Sequence, residues 1–258
     1  MKQICKLVVM LLLAFTAGVQ AQLVTYPESL NPGMPHNDDY TVRVRIPGGE
    51  WKDLFEYNVQ VDMDNVQNAS MVQFDMGSAV EVMVKKNNGS VREVTIRPLS
   101  KGIEYKQIQN AILFTLEKPQ YLSIEFDGDR LHNLHLFANP LETEKYDKET
   151  KGIMYFGPGV HRPKDLPNNQ IRIPGNTTVY LAPGAVVKAK LLVDKAENVR
   201  IIGRGILDHP IRGIEVTDSK NVLIDGITVV NLIIIPYSEA VQRESPSKPE
   251  IIQLQGLE

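Results

Sequence analysis

Three short β-branched runs recur at a nearly fixed interval in the second half of the chain, and they limit the fold more than any other feature. They are Thr178-Val179-Tyr180-Leu181, Asn198-Val199-Arg200-Ile201 and Asn221-Val222-Leu223-Ile224, offset by 20 and 23 residues. Each has valine second and an aliphatic residue fourth. A repeat of this length, built of short strands, marks a solenoid. A leucine-rich repeat needs a spaced Leu and Asn framework that is absent, and ankyrin and tetratricopeptide repeats are longer and helical. A parallel β-helix is left. In it each turn lays a strand about 4.8 Å from its equivalent in the turn before. Val179, Val199 and Val222 are then expected in one inward ladder, and Leu181, Ile201 and Ile224 in the next. Asn198 and Asn221 would stack at a corner and bond along the axis. Gly203, Gly205 and Gly226 would permit tight bends.

The region before the repeats has a different texture. Tyr40, Val42, Val44 and Ile46 alternate with Thr41, Arg43 and Arg45, the period-2 pattern of a half-buried strand. The pattern recurs at Val80, Val82 and Val84, at Ile112, Phe114 and Leu116, and at Leu122, Ile124 and Phe126. Asn88-Gly89 and Asp127-Gly128 read as hairpin turns. Short strands with regular turns predict a β-sandwich over 22–141. Glu142 to Lys151 is charged, lacks apolar periodicity and reads as a linker or solvated loop. The β-helix is expected over 152–231.

The N-terminus reads as a secretory signal over 1–21. Lys2 and Lys6 supply the charge, Leu7 to Phe15 the short apolar run, and Val19 and Ala21 the cleavage pattern, so the mature chain would begin at Gln22. The alternative is a buried N-terminal strand or helix. The apolar run is shorter than the roughly 20 residues that span a bilayer. Cys5 is the only cysteine, so the mature protein would have neither disulfides nor thiol chemistry. Its place before the apolar run does not suit a lipid anchor. A secreted or periplasmic product is expected. The net charge of −3 over 258 residues gives no reason to expect nucleic-acid or membrane partners. No cofactor or metal site is expected.

Several constellations have plainer readings than their chemistry suggests. His132 and His135 are spaced for zinc on a helix, but a strand puts them on opposite faces. Asp62, Asp64 and Asn65 lack the glycine and bidentate Glu of a calcium loop. Trp51 and Tyr57 could stack on sugar, though core or interface packing is favoured. Asp194, Asp208, Glu215, Asp218 and Asp225 are the acids of the coils and are expected in turns and on solvent faces. Asn68, Asn88 and Asn176 open glycosylation acceptor patterns, which matter only in a eukaryotic secretory route.

Tyr155 to His161, Asn176 to Val187 and Val199 to Asp208, in that order, resemble the opening of the β-helix in the polygalacturonase-like family of glycoside hydrolases. The segment through Leu134 to Pro140 is similar to the β-sandwich before the helix in bacterial members and dextranase-like relatives. The resemblance covers about residues 25 to 231. It implies a right-handed, pectin lyase-like helix and an inverting hydrolase of pectic or related polysaccharides, with acidic side chains on neighbouring coils as acid and base. The family's Asn-Thr-Asp, Asp-Asp, Gly-His-Gly and Arg-x-Lys motifs are absent from the helix region. The only Asp-Asp pair, Asp38-Asp39, lies in the sandwich. No catalytic residue is therefore assigned.

The pattern departs at Leu232. The family usually continues after Asn231 with a segment like Pro-x-His-Tyr-Thr, whereas 232–258 is aliphatic and then polar. A shifted reading frame and a natural short paralogue both account for this. The expectation is the N-terminal portion of a hydrolase, inactive as given because the catalytic coils are missing. The alternative is a non-catalytic carbohydrate-binding or structural protein. A β-helix lyase would need a basic cluster that is not visible. Leu223, Ile224, Ile227 and Val229 would lie near an open helix end, which predicts self-association.

Overall fold

The computed structural model describes residues 22–26, 33–62, 65–163 and 169–233. The signal segment, Asp64 and the tail after Ile233 lie outside the described residues. The chain is all-β, a β-sandwich followed by about three turns of a right-handed, pectin lyase-like parallel β-helix.

The sandwich strands are β1 (Leu23–Thr25), β2 (Tyr40–Arg45), β3 (Lys52–Asp53), β4 (Tyr57–Val61), β5 (Gln67–Met76), β6 (Val80–Lys86), β7 (Val94–Arg97), β8 (Lys106–Ile108), β9 (Ala111–Leu116), β10 (Gln120–Phe126) and β11 (Leu134–Pro140). One sheet runs β1-β5-β11-β10-β7 with β4 also on β5, and the other β3-β2-β6-β9-β8. The alternating residues meet between them: Val42, Val44, Val80, Val82, Val84, Ile112, Phe114, Ile124 and Phe126 are all buried in one core. Each such side chain stabilises the fold by roughly 1.5–3 kcal/mol. Asp127-Gly128 opens the loop of a true hairpin, β10 with β11. Asn88-Gly89 does not. It lies between β6 and β7, which belong to different sheets, so the chain crosses over there.

The coils contribute β12 (Ile153–Phe156), β13 (Gly159–His161), β14 (Gln170–Arg172), β15 (Thr178–Leu181), β16 (Ala185–Val187), β17 (Lys190–Asp194), β18 (Glu197–Gly203), β19 (Ile206–Asp208), β20 (Ile214–Thr217), β21 (Lys220–Asp225) and β22 (Thr228–Val230). They form three parallel sheets, β12-β15-β18-β21, β13-β16-β19-β22 and β14-β17-β20. Val199 pairs with Val222 and Ile201 with Ile224, as expected. The first repeat is displaced by two residues: Val179 faces Ile201, not Val199, and Leu181 faces Gly203. A slip of two keeps every side chain on its face, so periodicity alone cannot detect it.

The corner asparagines fix the register. Asn198 Nδ2 donates to Asn176 Oδ1 at 3.0 Å, and Asn221 Nδ2 to Asn198 Oδ1 at 2.7 Å. All three sit in the left-handed region, at φ 57°, 57° and 51°, which Asn tolerates better than most residues. Gly203 (φ 127°) is required for a different reason. A Cβ there would collide with the Leu181 carbonyl of the preceding coil.

The charged segment after Pro140 is largely exposed, as expected of a linker or solvated loop, and it also straps onto the coils through two carboxylates. The Arg200 guanidinium grips Glu144 with two nitrogens, at 2.9 and 2.5 Å. Tyr180 donates its hydroxyl to Glu142 at 3.1 Å, and the Tyr146 ring meets Tyr180 edge-on. Glu142 and Glu144 find partners 38 and 56 residues away, which composition does not reveal.

Candidate functional site: the seam groove

The sandwich packs against the outer face of the β13-β16-β19-β22 sheet. Tyr57, Val59, Ala69 and Met71 bury against Val186, Ile206 and Val230. Beside this apolar seam runs a polar one. Arg204 enters the sandwich and donates to Asp75 Oδ1 at 2.8 Å and to the Pro140 carbonyl at 2.6 Å. Asn231 accepts from the Gln60 amide at 2.7 Å and donates to Asp208 at 2.7 Å.

The acids of the coils are mostly occupied. Asp208 is buried, contrary to the expected solvent face, because the sandwich covers that edge. It lies 2.5 Å from Lys188 Nζ and bonds His209. Burial alone would raise its pKa, but the donors from Lys188 and Asn231 outweigh it and the net shift is downward. Asp194 is also shifted down, by hydrogen bonds from Arg172 and Thr217. Glu215 pairs with Lys190. Asp218 follows β20, and Asp225 ends β21 on an exposed position. Two carboxyls are pushed up by burial, Glu56 and Glu142. Glu56 accepts from the Val42 amide and Glu142 from Tyr180, so both are tied into the packing.

The remaining constellations separate. His132 lies in the β10–β11 loop and bonds Asp129, while His135 is on β11, so the two do not chelate. Asp62 precedes the β4–β5 turn and accepts from the Asn65 amide. Asp38 pairs with His36 in the turn before β2. Tyr57 is core, and burial pushes its pKa up to about 12. Trp51 lies under the Arg45 guanidinium at 4.3 Å. No group of three or more metal-ligating side chains occurs among the described residues.

What stands open is a cleft of about 500 Å³ between the outer face of the six-stranded sheet and the last coil. Tyr121, His135, Phe137 and Asn139 form one wall, with Gln60 and Asp62 at its end and Thr228 to Leu232 opposite. Tyr121 is 48% exposed. Its ring meets Phe137 edge-on at 5.3 Å, and its hydroxyl donates to Asn139 at 3.1 Å. Sequence reading missed this wall. Its residues occupy the outward positions of strands whose inward positions carried the signal, and nothing local marks an outward Tyr or His as facing a second domain.

No protein-family model matches the chain, and no curated protein matches it. Among solved structures, Dex49A from Penicillium minioluteum is similar, with a TM-score of 0.56 and 19% sequence identity over 78% of this chain and 54% of that one. The chain thus spans about half the length of Dex49A. Likeness at this identity establishes architecture: the chain has the pectin lyase-type β-helix fold.

Proposed function

We propose that this chain supplies the β-sandwich and opening coils of a secreted glycoside hydrolase acting on pectic or related polysaccharides, and that residues 22–233 bind such chains without cutting them. The family-like segments occur in the right order, and Dex49A shares the fold. An inverting glycosidase needs one carboxyl kept protonated as general acid and a second, about 6.5–9.5 Å away, to activate water. The observation that carries the non-cutting part is the state of three of the five coil acids. Asp194 and Asp208 are held ionised by cations, and Glu215 is ion-paired. None is poised to donate a proton to a leaving oxygen.

Affinity electrophoresis through gels containing polygalacturonate, rhamnogalacturonan or dextran tests the reading, with a reducing-end assay on the same polymers. Retardation in at least one gel without release of reducing ends is expected. Unretarded migration in all three overturns the carbohydrate reading, and released ends overturn the non-cutting part. For export, N-terminal sequencing of protein recovered from periplasm or medium is expected to begin at Gln22.

A further inference from the structure

We infer that the groove centred on Tyr121, His135 and Phe137 is a binding site for a neutral oligosaccharide. This rests on the carbohydrate reading above and narrows it, from pectic or related chains to neutral ones. Two clefts adjoin on the outer face of the six-stranded sheet. One, of about 500 Å³, runs to Asn231 at the seam. The other, of about 510 Å³, runs to Arg97 and Leu99. Both are lined by Tyr121, His135 and Phe137, so these three side chains stand where the two clefts meet.

The side chains at its centre suit a sugar. The half-exposed Tyr121 ring, fixed by Phe137, offers an apolar platform of the kind that packs on a pyranose face, and its hydroxyl supplies a polar handle. The ring of His135 has no hydrogen-bond partner among the described residues. Burial pushes its pKa down, so the imidazole is neutral near pH 7 and presents one donor and one acceptor. A sugar hydroxyl also both donates and accepts. A half-buried polar ring without a protein partner leaves that capacity for solvent or ligand.

Charge selects among sugars. The cation at the far end, Arg97, is held by Glu125 at 2.7 Å, and Asp62 stands at the near end. A uronate carboxylate would meet no unpaired cation among the described lining residues and would be repelled by Asp62. A neutral hexose or pentose chain meets neither penalty.

Isothermal titration of the full chain with isomalto-, galacto- and xylo-oligosaccharides and with oligogalacturonate tests the site. Neutral ligands are expected to bind more tightly than oligogalacturonate. Tyr121→Ala and His135→Leu are each expected to weaken binding about tenfold, the loss of one good stacking or hydrogen-bonding contact. Trp51→Ala, just before β3 of the other sheet, is expected to leave it unchanged. Thermal melting checks that the variants fold, and if Tyr121→Ala does not, His135→Leu decides. Binding that ignores both groove variants overturns the site and leaves the carbohydrate reading standing. Tighter binding of oligogalacturonate overturns the neutral assignment. Absence of any saccharide binding by the unmodified chain overturns both.

Discussion

Arg204 and Asp75 form an ion pair across the seam, with the guanidinium Nε 2.8 Å from the carboxylate and both side chains buried. They are 129 residues apart. The arginine sits between Gly203 and Gly205, at the point where a coil turns from one sheet to the next. Removing one partner strands the other charge in the interior. Arg204→Met is expected to destabilise by about 3–5 kcal/mol, and the double variant R204M/D75L by less than that. Denaturant melts of the single and double variants measure the difference.

The asparagine ladder makes two contributions that can be separated. Asn198→Ala loses the bonds to Asn176 and Asn221 and forces alanine into the left-handed region, an expected loss of about 1–3 kcal/mol. Asn198→Gly loses only the bonds and is expected to fall less. Equal melting temperatures for the two variants would remove the backbone contribution from the account.

The strap titrates. Hydrogen bonds from Arg200 and then Tyr146 hold the Glu144 carboxyl down at about 2, against an ordinary value of 4.5. A depressed pKa means that the unfolded chain binds the proton more readily. The stabilisation is therefore fully present above pH 4.5 and is lost as pH falls through about 2. The pair is partly exposed, so screening keeps its worth below about 1 kcal/mol. Glu144→Gln is expected to lower the melting temperature above pH 4.5 and to match the parent below about pH 2.

Among the described residues, β21 and β22 each have a partner strand on one side only. Val229 and Ile233 are exposed there, with Val222, Ile224 and Ile227 half-buried beneath. Unpaired edges over an apolar core promote association. Light scattering on residues 22–258 is expected to show concentration-dependent oligomers, and Val229→Lys is expected to reduce them. A monodisperse parent would contradict the expectation.

The parts of this fold that were legible in the sequence are those set by local alternation. Val80, Val82 and Val84 declared their strand and its inward face, and Val199 with Val222 declared the solenoid. Relations between distant segments were not legible. The first repeat slipped by two residues because Val179 and Leu181 match either register in hydrophobicity. The left-handed Asn176 distinguishes the two registers, and its partner is an amide in the next coil. Asn88-Gly89 has hairpin chemistry, yet the strands it joins pair elsewhere. Asp208 was read as a solvent-facing acid because the sandwich that covers it lies far upstream. The groove was hidden for the same reason: Tyr121 and His135 are ordinary outward residues until the last coil stands opposite them.

The amide column through Asn176, Asn198 and Asn221 works as an index mark. Its rungs are 22 and 23 residues apart, so the turns absorb a length difference while the column stays aligned. A coil of foreign length could be spliced between Asn198 and Asn221 if it delivers a left-handed asparagine at that corner. Its loops could then be chosen freely, provided its strands keep their inward apolar residues and pair with the coils on either side.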